Sequence, residues 1–417
     1  MNVLVLVSVH VPEPLDVFVS GTFTFRCTST FTWKSGGFCP ASLGIARCAG
    51  PVHSNRMNLA FFVSPHGFGH AARACAVMSA LGQRHSNLHV EIFTRVPVWF
   101  FQQSLDSTVR FEYHELQTDV GFIQASSMVE DYGATIDALE RLYPLSSDSV
   151  SEIAGLLRER AVSAVLCDIS ALGIVAAEKV GIPSVLIENF TWDWIYSGYV
   201  GIEPRFERFI DYLRPLYDRA TVRVQTEPVC RRVGGVPNVR PIARRRRARD
   251  GGVRQALGIE VDTTVVLCSM GGIPGSFKFV PSLATRPDVV FVLAGCEPLP
   301  DMPGNVRAIP HRSDFYHPDL VATADAVVGK VGYSTVAEAY YGRTQFLYLP
   351  RPLFAESAVM EDFVTAELCG RPIAPEAYDD GSWMERLPHI LQLPDQTLVG
   401  PRDGAEDLLD ILDKVLR

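Results

Sequence analysis

The chain has 417 residues, a net charge of −9, 47% hydrophobic and 20% charged residues. That length exceeds one typical core and predicts two domains, while the acidic balance argues against nucleic acid as the main partner. No apolar run reaches the roughly 18 residues of a membrane span, and nine cysteines without a C-x-x-C pair fit a reduced, cytoplasmic protein better than a disulfide or zinc framework.

Met1–Val19 is apolar, but it lacks the basic start of a secretory signal and carries Glu13 and Asp16. Residues 1–56 show no convincing periodicity, and a strand pattern begins directly after Met57. They are therefore expected to be a non-domain extension. From there strands are predicted at Leu59–Ser64, His89–Thr94, Val109–His114, Ala164–Asp168, Ser184–Glu188 and Thr221–Gln225. Helices are predicted at Ala71–Leu81, Ser126–Leu142, Ser149–Arg160, Ala171–Val180 and Glu203–Tyr217. Short apolar strands alternating with helices imply a parallel sheet covered on both faces.

Around Cys230–Gly252 the pattern dissolves into Pro, Gly and Arg, which reads as a linker. The run Arg244-Arg245-Arg246-Arg247 within it reads as a solvated linker or as a peripheral contact with an anionic membrane surface or acidic ligand. Alternation resumes with strands at Thr264–Ser269, Val289–Ala294, Val306–Ile309, Ala326–Val328 and Gln345–Leu349. Helices follow at Ser334–Tyr341 and Glu356–Leu368, and a closing helix at Ala405–Leu416. The expected layout is an α/β domain over 57–230, a linker over 231–252, a second α/β domain over 253–400 and a closing helix within 401–417. Both sheets are expected to be Rossmann-like, doubly wound and parallel, facing each other across a cleft.

Two stretches carry candidate chemistry. Ser64-Pro65-His66-Gly67-Phe68-Gly69-His70 joins a strand to an Ala-rich helix. Such a corner leaves backbone N–H groups free for an anion and places two histidines at the carboxyl end of a strand. In the second half, Ser269-Met270-Gly271-Gly272 follows a strand, and Val328-Gly329-Lys330-Val331-Gly332-Tyr333-Ser334-Thr335 leads from a strand into a helix. The amino end of that helix suits a diphosphate. Glu338, one turn in, is placed either to accept ribose hydroxyls or simply to complement the helix dipole. Glu188-Asn189-Phe190-Thr191-Trp192-Asp193-Trp194 reads either as a sugar- or apolar-acceptor surface or as a packed core loop.

With these residues in view, the chain resembles the GT-B glycosyltransferases, which move a sugar from a nucleotide donor to an acceptor. Gly329-Lys330-x-Gly332-x-x-Thr335-x-x-Glu338-Ala339 is similar to the donor signature of the branch containing the peptidoglycan UDP-N-acetylglucosamine transferase. The stretches His66–His70, Asn189–Tyr196 and Gly329–Glu338 resemble the glycosyltransferase-like region of plant L-arabinokinase.

The resemblance implies a metal-independent inverting transferase without cofactor, with a nucleotide sugar, UDP-linked, as co-substrate and a hydroxyl compound as acceptor. It implies His70 as general base and Asp168 as the carboxylate that orients it; the residues alone also allow a helix-start role for His70 and an N-cap role for Asp168. Donor contacts are implied at Met270, Gly271, Gly272, Ile309, His311, Lys330, Gly332, Tyr333, Ser334, Thr335, Glu338 and Glu356. The acceptor side would hold His66, Gly67, Gly69, Glu188, Asn189, Trp192 and Asp193. Phe354-Ala355-Glu356-Ser357 departs from the acidic-amide or Gln-Gln pairs of relatives, which leaves the donor sugar open. A non-catalytic nucleotide-sugar-binding module and a GT-B sugar-nucleotide epimerase are the alternatives.

Overall fold

In the computed structural model, which describes residues 56–126, 129–248, 251–271, 277–392 and 402–416, the short apolar runs become parallel strands. The first lobe contains β1 (Met57–Val63), β2 (Leu88–Thr94), β3 (Arg110–Glu115), a small antiparallel hairpin of β4 (Ile123–Ser126) and β5 (Val129–Asp131), β6 (Ala164–Asp168), β7 (Ser184–Glu188), β8 (Val222–Thr226) and β9 (Asn238–Val239). Seven of these form a parallel sheet in the order β3-β2-β1-β6-β7-β8-β9. The second lobe adds β10 (Thr264–Ser269), β11 (Val289–Ala294), β12 (Val306–Ile309), β13 (Ala326–Lys330), β14 (Gln345–Leu349) and β15 (Arg371–Pro372), ordered β12-β11-β10-β13-β14-β15.

Strand periodicity explains why both faces are covered. Along β1, Ala60 and Phe62 enter one core cluster while Leu59, Phe61 and Val63 enter the other. Along β10, Val265 and Leu267 face one layer and Val266 and Cys268 the opposite one. A run buried on both sides has no polar face to display, so it reads as uninterrupted apolar sequence.

Strand order also locates the cleft. In the first sheet the chain reverses direction between β1 and β6, and in the second between β10 and β13. At such switch points the connections leave toward opposite faces, opening a crevice at the carboxyl ends of the two central strands. His70 follows β1, Asp168 ends β6, Gly271 follows β10 and Lys330 ends β13. Topology alone thus gathers the principal site residues at two crevices.

Three expectations need correction. The helix anticipated from Ser126 starts at Tyr132, because the hairpin β4–β5 precedes it and the Asp131 side chain accepts a hydrogen bond from the Ala134 N–H as its cap. The helix Val98–Ser104, announced only by Pro97 and aromatics, is an addition. The 231–252 segment is not a free linker. It supplies β9, and Arg244 is buried, bonding Ser104 of the first lobe and Glu338 of the second. Arg245 pairs with Asp403 and Glu406, and Arg247 donates to the Gln103 carbonyl. The expected extension over residues 1–56 lies outside the described residues apart from Arg56. Among the described residues no helix is long and apolar enough to cross a membrane.

The closing helix, Gly404–Val415, belongs to the first lobe's core: Leu408, Leu409 and Leu412 pack with Leu59, Val77 and Leu81. Leu412 is fully buried. Leu412→Ala is therefore expected to destabilise the protein by about 2–5 kcal/mol, read as a lowered midpoint in chemical denaturation.

Candidate active site

The corner after β1 depends on Gly67, whose φ of 71° and ψ of −172° lie in a region open essentially to glycine alone. This kink turns the chain into the helix Phe68–Arg84, so His70 and Arg73, three residues apart, share one face of its first turn. After β6, Ile169 adopts φ 50°, rare for a β-branched residue. Tyr217 donates to its carbonyl at 3.0 Å, and a bridge to Val63 completes the restraint. Strain of this kind beside Asp168 marks a backbone held in place by its surroundings.

Between the two corners lies a tight polar network. His70 Nδ1 is 2.7 Å from Asp168 Oδ1. Arg73 donates through Nε to Asp168 Oδ2 and through Nη2 to Oδ1, both at 2.7 Å. Its Nη1 donates to Asn189 Oδ1 at 2.6 Å, and Asn189 Nδ2 donates to Glu356 Oε1 at 2.8 Å. The chain therefore runs from an imidazole on the first lobe to a carboxylate on the second.

Two buried carboxyls here meet opposite fates. Burial pushes Asp119 well above the usual carboxylate range; the bond from Ser64 Oγ, at 2.8 Å, is too little to offset it. Burial also opposes the charge of Asp168, but the Arg73 guanidinium and then His70 overcome it and hold Asp168 below the usual range. Ionised Asp168 takes the N–H of His70 Nδ1, which leaves Nε2 as the proton acceptor. His66, next to Trp192 and Phe354, is held well below its ordinary pKa by burial first and then by its neighbours His70, Lys330 and Arg351. It is neutral. Gly121 makes room for it, since a Cβ there would lie 2.2 Å from His66 Nδ1.

The second lobe faces this network. A cleft of about 810 Å³ is lined by His66, Gly67, Gly69, His70 and Asn189 from one side and by Gly271, Lys330, Gly332, Tyr333, Ser334, Thr335 and Glu356 from the other. A Cβ on Gly69 would stand 3.9 Å from Ser334 Oγ, so the two corners lie nearly in contact. The helix Tyr333–Gly342 begins after Gly332, and among the described residues no side chain caps its first N–H groups. Burial and then Arg351 lower the Lys330 ammonium to about 8, partly restored by Glu356 and Glu130. Beside the cleft, a smaller cavity of about 90 Å³ is lined by Phe68, Trp99, Phe100, Ile309 and His311.

Other anticipated residues lie elsewhere. Trp192 is fully buried and stacks on Tyr196; Asp193 is buried beside Arg214 and Arg231. Glu188 is buried against Arg223 and Gln225. None of the three lines the cleft: Trp192 and Asp193 are buried in the first turn of the helix Trp192–Ser197, and Glu188 at the end of β7. The Met270 side chain is in the core, and Gly272 lies outside the described residues. Glu338 is buried with both oxygens engaged, Oε1 by Arg244 and Oε2 by His317 Nδ1 at 2.6 Å. Arg73 was missed, although an arginine three residues after His70 on an otherwise Ala-rich helix face was a usable signal. Among the described residues there is no cluster of three or more His, Cys, Asp or Glu suited to a metal ion.

Removing Arg73 leaves a buried carboxylate without its partner. Arg73→Met is expected to cost about 3–5 kcal/mol at pH 7. In the native protein the Asp168 contribution is present above the unfolded carboxyl pKa and is lost as the pH falls through its depressed folded value. In the variant the folded pKa rises, so the deficit should shrink between pH 7 and pH 4. Denaturation at both values reads this, and a pH-independent deficit would count against it.

No family model matches the chain. The chain is 28% identical to L-arabinokinase of Arabidopsis thaliana over 348 residues, covering 82% of this chain and 32% of that protein. It thus spans about a third of that relative's length. It is 22% identical over 276 residues to the UDP-N-acetylglucosamine–N-acetylmuramyl-(pentapeptide) pyrophosphoryl-undecaprenol N-acetylglucosamine transferase of Limosilactobacillus fermentum, covering 60% of this chain and 71% of that one. Among solved structures, a UDP-glucosyltransferase from Polygonum tinctorium superposes with a TM-score of 0.59 at 12% identity, covering 87% of this chain and 99% of its own. At that identity the match speaks to fold, and the two facing parallel sheets with paired switch points agree with it: the chain has the GT-B fold of the glycosyltransferases.

Proposed function

We propose that the protein is a metal-independent, inverting glycosyltransferase that moves a sugar from a nucleotide donor, UDP-linked, to a hydroxyl acceptor. The observation that carries this reading is the confrontation of the His70–Asp168 pair with the uncapped helix start at Ser334 across a shared cleft. In the step envisaged, the acceptor oxygen attacks the anomeric carbon while His70 Nε2 takes its proton. The bond from that carbon to the diphosphate breaks, and its electron pair leaves with the nucleoside diphosphate, so the configuration inverts.

Asp168 stabilises the imidazolium without itself taking a proton. The N–H groups at Tyr333–Thr335 and the Lys330 ammonium face the charge that develops on the leaving group. The sequence contains no Asp-x-Asp, the usual metal–diphosphate signature of the other main glycosyltransferase fold. The aromatic cavity at Phe68, Ile309 and His311 suits the base, and among the described residues the second oxygen of Glu356 has no hydrogen-bond partner and suits a sugar hydroxyl. Glu338 supports the donor helix through Arg244 and His317 instead of reaching a ribose.

His70→Ala is expected to lower acceptor-dependent UDP release from UDP-glucose or UDP-N-acetylglucosamine by about 10²–10⁴-fold, with UDP affinity changed by less than about twofold. Undiminished release would remove His70 from the mechanism, and tight binding without release across a broad acceptor panel would favour a binding module. Because Lys330 loses its proton near pH 8 in the free protein, UDP affinity should begin to fall as the pH rises through about 8. Lys330→Met should bind about tenfold more weakly at pH 7 and lack that slope in calorimetric titration.

A further inference from the structure

The cleft is far more basic than the chain around it. Arg73, Arg95, Arg141, Lys330 and Arg351 line it against one carboxylate, Glu356, in a protein of net charge −9. Three of these cations have work already assigned. Arg73 is bound to Asp168, Arg351 is paired with Glu130 at 2.6 Å, and Lys330 faces the proposed diphosphate. Arg95 and Arg141 remain.

Both belong to the first lobe, on the wall opposite the donor helix. Arg95 follows β2 directly, and among the described residues its hydrogen-bond partner is an amide, with Nη1 3.1 Å from Gln117 Oε1. Arg141 lies in the last turn of the helix Tyr132–Leu142. Among the described residues neither has an ion pair. Of the acids in the same hairpin and helix, Glu140 is paired with Arg208, Glu130 with Arg351, and Asp131 caps the Ala134 N–H, while Asp137 lies one turn before Arg141. The same wall holds Gln124, whose Oε1 is buried without a partner, and the exposed side chain of Ile123. Arg95 and Arg141 are exposed at the cleft wall, where guanidinium groups without an ion pair offer forked donors to an oxyanion, and an orphaned amide oxygen favours a hydroxyl donor.

We propose that Arg95 and Arg141, with Gln124, form an acceptor subsite for a sugar or polyol bearing a carboxylate or phosphate. The proposal rests on the transferase reading for the word acceptor; the anion preference itself does not. The oxyanion would be held by the two guanidinium groups while a hydroxyl of the same molecule is presented to His70. Neutral compounds lacking the anion would lose the contacts that orient them.

The test is calorimetric titration of the protein saturated with UDP, using D-glucose, D-glucuronate and D-glucose 6-phosphate as probes. Both anionic probes are expected to bind at least tenfold more tightly than glucose, with the tighter of the two distinguishing carboxylate from phosphate. In the R95A/R141A double variant this preference should vanish while UDP affinity stays within twofold, and R95K/R141K should restore part of it. Equal binding of the three probes, or an unchanged preference in the alanine variant, overturns the subsite. Failure of UDP to bind would instead strike the donor reading. The glucose–glucuronate comparison is then made on nucleotide-free protein, where loss of the preference in R95A/R141A still supports the subsite and its persistence rejects it.

Discussion

The buried contact between Arg73 and Asp168 organises the rest of the molecule. A carboxylate with no solvent exposure stays ionised only if a cation compensates the lost hydration, and Arg73 does so through two hydrogen bonds to the two oxygens. That charge in turn fixes the tautomer and orientation of His70. The remaining guanidinium nitrogen reaches Asn189 and, through it, Glu356 of the opposite lobe. The same network that positions the histidine thus extends across the lobe interface.

Other buried polar contacts hold the same interface. Tyr333 places its ring against the Arg73 guanidinium, 4.6 Å from the centroid, and its hydroxyl bonds Thr226 and the Ile242 N–H. Arg244 stands between Phe100 and Tyr316 and joins Ser104 to Glu338, while Arg351 joins Glu130 across the cleft. Breaking either ion pair, Arg244–Glu338 or Arg351–Glu130, leaves a desolvated charge, which costs far more than an exposed pair contributes. The interface is consequently particular about geometry. It keeps the Gly69 corner near the Ser334 helix start, where larger residues at either glycine of the first corner would meet backbone strain or the opposing helix.

Much of the fold was legible before any coordinates. β6, β7, β10, β11, β12 and β14 match the predicted bounds residue for residue; all but the edge strand β12, which carries Arg307, are runs buried on both faces between polar turns. The corners at Gly67 and Gly332 were legible too, since each joins an apolar run to a helical segment through glycine. The elements that escaped were short or mixed in character. The hairpin β4–β5 was absorbed into a longer helix pattern, and Val98–Ser104 offered too few turns for a period to emerge.

What the sequence determined by itself was local: which segments pair as strands, where glycine is required, and that histidine, lysine and glycine stand at strand ends. Only the tertiary structure decided which charged groups are partners. Trp192 and Asp193 looked like a ligand surface yet turn inward, and the arginine run looked solvated yet sends Arg244 into the lobe interface. Glu338, which reads as a ribose ligand, is consumed by Arg244 and His317. The physical reason is that apolar periodicity is written along the chain within a few residues, whereas the fate of a charge depends on groups a hundred residues away. Asp168 meets Arg73 across 95 positions and Asn189 meets Glu356 across 167, and no local pattern encodes either meeting.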